Sequence, residues 1–121
     1  MNNTSHVFDV LRYSYGAVLV LAGLDKFGTN FIVDWAQYIS PTVLAGLPVS
    51  VPVFLGFMGV VEVAVGILFF TRFTRIAGYL SVAWLVLISI NLILMDVRDI
   101  AIRDLLLAVG AYAIAKLSPS A

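Results

Sequence analysis

Arg12, Lys26, Glu62, Asn91 and Asp104 are the polar residues that most need explaining in this chain, because each stands inside or at the edge of a long apolar run. Such side chains are costly in hydrocarbon and face protein, water or a ligand instead. Helical spacing places them. Arg12 shares a face with Gly16, Leu19 and Gly23, and Glu62 lies on one face between Gly59 and Gly66. Small residues mark where membrane helices approach most closely, so both charges belong on faces that meet a neighbour. Counted from the near end of each apolar run, at ~1.5 Å per residue, Arg12 is roughly 8 Å deep and Glu62 roughly 12 Å. The spacing predicts an Arg12–Glu62 ion pair. Such a pair either locks two helices together or shapes a polar site for a headgroup, a quinone or a proton.

A second polar layer is expected toward the other side. Asn91 shares a face with Trp84, Leu87, Ile88 and Met95; Asp104 shares one with Ala101, Ala108, Ala111 and Ala115. Both lie a little over one helical turn from the boundary, where Lys26 can snorkel toward them. Interhelical glue and a ligand or proton site are both compatible with this layer. Around Asp104 the charges crowd, with Asp96, Arg98, Asp99, Arg103 and Asp104 inside nine residues. Asp99 and Arg103 are spaced as an i,i+4 pair with the acid first. Asp96 and Asp99 suit the amino end of a helix, and Arg98 is expected in solvent. That leaves Asp104 as the candidate working residue of the stretch.

Composition narrows the chemistry. Of 121 residues, 62% are hydrophobic and 12% charged, more apolar surface than a soluble domain of this length can bury. The solvent must be lipid over much of the surface, and the chain reads as one integral membrane domain. Zero formal net charge leaves no basic footprint for nucleic acid. With no Cys, the chain has no disulfide exchange, iron–sulfur ligation or thiolate zinc. His6 is the single histidine, so bis-histidine haem ligation within one chain is impossible and no metal site is expected.

Four segments are long enough to span and position these residues: Val7–Leu24, Val51–Phe70, Ile76–Met95 and Ile100–Leu117. Asp9, Arg12 and Asp25-Lys26 make the first a retained span rather than a cleaved leader. The links TRFTR and DVRD force consecutive spans to be antiparallel, so an all-α, up-down four-helix bundle is expected. The long first link carries Phe31, Trp35, Tyr38 and Ile39 on one face of residues 30–39, which predicts a short interfacial helix. Pro41, Gly46, Pro48 and Pro52 then predict an irregular return. Arg72 and Arg75 in a short loop without acids put that loop, and with it both termini, on the cytoplasmic side.

Two stretches then resemble a known family. RYSYGAVLVLAGLDKF is similar to the opening of DoxX-like membrane proteins, and GVVEVAVGILFFTRFTR to their second helix and cytoplasmic turn. Arg12, Gly23, Lys26, Glu62, Gly66 and Arg72 match the family's positions; MDVRDIAIRD lies outside the pattern, so its role is not inherited. The resemblance implies a multi-pass protein of a bacterial-type cytoplasmic (inner) membrane, linked to quinone-dependent and oxidative-stress enzymes. The expected function is a small accessory or anchoring subunit of a redox system, in a homo-oligomer or larger complex. The alternatives are a quinone- or substrate-binding subunit and a small transporter or lipid-binding bundle.

Overall fold

A computed structural model describes residues 3–28 and 31–119, and every regular element among them is helical. The chain runs through α1 (Asn3–Asp25), a single 3₁₀ turn (Trp35–Tyr38), α2 (Pro41–Gly46), α3 (Val51–Leu68), α4 (Thr74–Leu94) and α5 (Arg98–Leu117). α1, α3 and α4 are each long and apolar enough to cross a membrane. Leu21, Val60, Leu106 and Val109 are each well over half exposed, an outward apolar coat that lipid, not water, would cover.

The helices associate as two tight antiparallel pairs, α1 with α3 and α4 with α5, and the pairs meet each other more sparsely. Glycine sets the first seam. A Cβ at Gly16 would lie 2.8 Å from the Gly66 carbonyl oxygen, and one at Gly23 2.7 Å from that of Gly59. No larger residue allows the backbones so close. Alanine sets the second: Ala101, Ala108, Ala111 and Ala115 are all buried, as their spacing predicts, and Asp104 lies in the same stripe. Ser89 joins that seam by donating to the carbonyls of Leu85 (2.8 Å) and Ala101 (3.2 Å).

The two ends of the molecule differ. At the end where α1 begins and α5 ends, Phe69, Ala77 and Ile114 form a core that Phe8, Leu11, Tyr15 and Leu68 pack against. All four long helices contribute, so this end is closed. At the other end, the connector between α1 and α3 lies over the gap between the pairs, and the gap stays open.

The connector departs from expectation. In place of a helix over residues 30–39 there is only the Trp35–Tyr38 turn, capped by Asp34, whose side chain accepts from the Ala36 amide. Asn30 lies outside the described residues. The Asp25 carboxylate ties down the chain before that turn, accepting from the amides of Phe31 (2.6 Å) and Ile32 (2.9 Å), which holds these residues in a bend outside any helix. Nor is the return irregular throughout. Ser40 caps α2 by accepting from the Val43 amide, and Pro41 occupies the first helical position, where its missing N–H costs nothing.

The turn before α5 is also not the expected cap. Asp96 ends α4 instead, at φ 62°, with Val97 N–H donating to the Leu92 carbonyl and Asp96 N–H to that of Ile93. This closes the helix as a Schellman turn, with Asp in the position glycine usually fills. Asp99 does fall in the first turn of α5, and Arg98 is in solvent, paired with Asp96 at 3.1 Å.

Candidate functional site beneath the connector

The expected Arg12–Glu62 pair is not formed. The glycine seam puts Gly16 against Gly66, so Arg12, four residues earlier, comes level with Phe70. Glu62 comes level with Val20, roughly two turns away. The expectation set the two apolar runs flush at their ends, whereas close glycine packing offsets them by more than a turn. Arg12 instead closes the terminal end. Its Nη1 donates to the carbonyls of Phe69 (3.2 Å) and Thr71 (3.5 Å) and to the Thr74 hydroxyl (3.4 Å). Its Nε meets Asp9 at 3.0 Å, and Nη2 donates to the Tyr13 hydroxyl at 2.7 Å. Those carbonyls belong to the end of α3 and the turn after it, where helix geometry leaves acceptors without partners.

The partner of Glu62 is Lys26. Lys26 follows the last residue of α1, and its side chain folds back along Gly59, where α3 has no side chain to block it. Lys26 Nζ lies 2.7 Å from Glu62 Oε1, and the two side chains are only 6% and 4% exposed. The ammonium also sits 3.7 Å from the centre of the Trp35 ring, a cation–π contact in a desolvated place. Trp35 is in turn fixed by its indole N–H, which donates to Asp25 at 2.7 Å. From the other helix pair, the Trp84 indole donates to Glu62 Oε1 at 3.3 Å. One chain of contacts thus runs Asp25–Trp35–Lys26–Glu62–Trp84 and links α1, the connector, α3 and α4.

Asn91 does not join Asp104 in a direct bond; it holds the connector. Its amide donates to the Tyr38 carbonyl at 2.5 Å and accepts from the Ser40 amide at 2.9 Å. Arg103 bridges the adjacent Asp104 at 3.3 Å in place of Asp99, the expected partner. The Arg103 side chain stays largely exposed, at the rim of the opening between the pairs.

These groups border one cavity of about 660 Å³, lined among others by Lys26, Glu62, Asn91, Arg103 and Asp104. Of the five sequence candidates, four come together there and Arg12 stands apart. The walls are otherwise apolar, from Phe54, Met58, Leu87 and Ile88, with Trp35 and Trp84 presenting indoles. The volume and the few convergent polar groups suit a small-molecule site.

No family model, characterised protein or solved structure matches the chain. The site's own geometry must carry the reading.

Sequence reasoning missed three contributors. Asp25 was weighed only as a charge flanking a span, Trp35 only as an interfacial aromatic, and Ser40 not at all. The signal for the first two was adjacency: an Asp-Lys pair ending a helix sends one side chain outward to the connector and the other back along the helix. Among the described residues no cluster of His, Asp and Glu could hold a metal.

Proposed function

We propose that the chain is a four-span membrane protein of DoxX type whose cavity receives the headgroup of a quinone-class lipid. It would serve as a small accessory subunit of a membrane redox system. The observation that carries the reading is the Lys26–Glu62 pair, buried yet bordering a cavity whose walls are otherwise mostly apolar. A quinone headgroup is a flat ring with carbonyl acceptors on opposite edges. Lys26, Asn91 and Arg103 offer donors around the cavity, and the indoles of Trp35 and Trp84 offer flat faces for the ring. Glu62 supplies the carboxylate that holds the Lys26 ammonium in place beside it. The likeness of the Arg12-to-Phe27 and Gly59-to-Arg75 stretches to DoxX-like proteins points the same way.

The fourth span in this reading is α5. Its Ile102, Leu106 and Val109 are strongly exposed, as lipid-facing residues would be, while Asp104 borders the cavity. An up-down bundle follows, with Arg72 and Arg75 in the cytoplasmic turn and both termini on that side.

The test uses the two tryptophans as reporters. A short-tailed quinone added to purified protein should quench their fluorescence saturably, and Lys26→Met with Glu62→Leu should abolish the saturable part. Organic extraction of gently purified protein should yield quinone in stoichiometric amount. Linear, unsaturable quenching together with a quinone-free extract would sink the headgroup reading. Native mass spectrometry in mild detergent checks the accessory role, which fails if the chain flies as a lone monomer.

A further inference from the structure

A second cavity, of about 450 Å³, lies between the same helix pairs, lined by Tyr15, Leu19, Val65, Ser81 and Ala83 among others. Glu62, Trp84 and Leu87 line both cavities. Along each helix the order is the same. On α3, Phe54 and Met58 border the first and Val65 the second; on α4, Asn91 and Leu94 the first and Leu80 and Ser81 the second. On α5, Asp104 borders the first and Leu107 the second. The two are stacked along the gap between the helix pairs, with the Glu62–Trp84 contact at their junction.

Their chemistry differs. The connector-end chamber holds five charged or amide groups, whereas polar groups of the inner chamber are almost all satisfied by protein. The Tyr15 hydroxyl donates to the Leu107 carbonyl and that of Ser14 to the Val10 carbonyl, each at 2.7 Å. Ser81 is the exception. It is 2% exposed, and its hydroxyl is the one buried side-chain oxygen or nitrogen without a hydrogen-bond partner among the described residues. The rest of the chamber's lining is almost wholly apolar, so a group packed against it gains dispersion contacts there. Something apolar, with at most one polar point, fits it.

We infer that the two chambers form one site for a two-part lipid: headgroup beside Lys26 and Glu62, hydrocarbon tail past Trp84 into the chamber lined by Ser81. This rests on the headgroup reading above and adds where the rest of the ligand goes. A tail that leaves the bilayer for an apolar chamber gains little hydrophobic free energy, since lipid is already apolar. Its seat is decided by shape and by tethering to a bound headgroup, which raises its effective concentration at the junction. The informative measurement is therefore the tail's position rather than its affinity.

The protein in lipid nanodiscs would be photolabelled with a quinone carrying a diazirine at the end of an alkyl tail. Label is expected on Ser14–Leu19, Leu80–Ala83 and Leu107, and excess tail-less quinone should suppress it. Ala83→Phe, at an exposed position bordering the inner chamber, should cut that inner label by about tenfold, the size of a modest overpacking penalty. Tryptophan quenching by tail-less quinone should be unchanged in the same variant. Label confined to residues that border neither chamber and face outward, such as Leu106 and Ile67, with quenching intact, overturns the inference and leaves the headgroup reading standing. Undiminished inner label in Ala83→Phe overturns it as well. A phospholipid with the same diazirine tail serves as the other arm: if it labels the inner chamber as strongly and tail-less quinone does not compete, the chamber is a lipid slot and the two-part site is wrong. If tail-less quinone neither quenches nor competes, the headgroup reading fails first.

Discussion

Arg12 lies within α1 and Lys26 directly follows its last residue, both are cations in an apolar chain, and both are anchored to α3 or its end, yet their surroundings are opposite. Arg12 gives its donors to backbone carbonyls, Asp9 and two hydroxyl groups, at the end where Phe69, Ala77 and Ile114 close the core. Lys26 gives its charge to one carboxylate and one indole face, at the end where the helix pairs stand apart. A guanidinium with its fixed fork suits several acceptors at a helix end, and an ammonium suits a single point contact. The contrast teaches that a buried charge gains functional meaning from what lies beside it. The Arg12 knot borders core and the Lys26 pair borders a cavity.

The largest effect is expected from breaking the pair. Lys26→Met leaves the Glu62 carboxylate buried without its counter-ion, held only by the Trp84 indole, and should cost about 3–5 kcal/mol in unfolding followed by thermal denaturation in detergent. Adding Glu62→Leu should recover most of that stability while saturable quinone quenching stays lost. If the double variant is no more stable than the single one, the two residues do not act as a pair. Gly23→Leu comes next, since its side chain would drive into the Gly59 carbonyl and part the seam common to both ends. A loss of roughly 1–3 kcal/mol is expected, with quenching weakened too. A silent substitution would mean the seam is not close.

Arg12→Ala separates the two ends most directly. It should lower stability by about 1–3 kcal/mol through the orphaned carbonyls, leaving quinone quenching as in the wild type. Lost quenching with retained stability would reverse the assignment of roles. Smallest is Arg98→Ala, whose one ion-pair partner among the described residues is the exposed Asp96; a change within about 0.5 kcal/mol is expected, and a larger one would make the α4–α5 turn more than a solvated cap.

Much of the fold was readable along the chain because its signals are local. Apolar runs of span length, two short links and a stripe of alanines on α5 each depend on neighbouring residues alone. The faces of Glu62, Asn91 and Asp104 were readable for the same reason, and all three reach the cavity. Their partners were not. Asp104 took Arg103 rather than pairing with Asn91 in a layer, and Asn91 took the backbone of the connector, whose path depends on the carboxylate of Asp25. The 3₁₀ turn in place of an interfacial helix has that same cause: an aromatic face signals an amphipathic segment, but three hydrogen bonds to one aspartate hold Phe31 and Ile32 in a bend and fix Trp35.

By itself, then, the sequence determined an all-helical, lipid-facing chain without thiol chemistry and with a few buried charges on small-residue faces, since composition and period need no partner to be read. Only the tertiary structure decided which charges meet. That choice follows from a seam register set where Gly16 meets Gly66 and Gly23 meets Gly59, and glycine backbones lock at the offset that brings them closest rather than where apolar runs happen to end. The same register puts Arg12 at a closed helix end and Lys26 over an open gap.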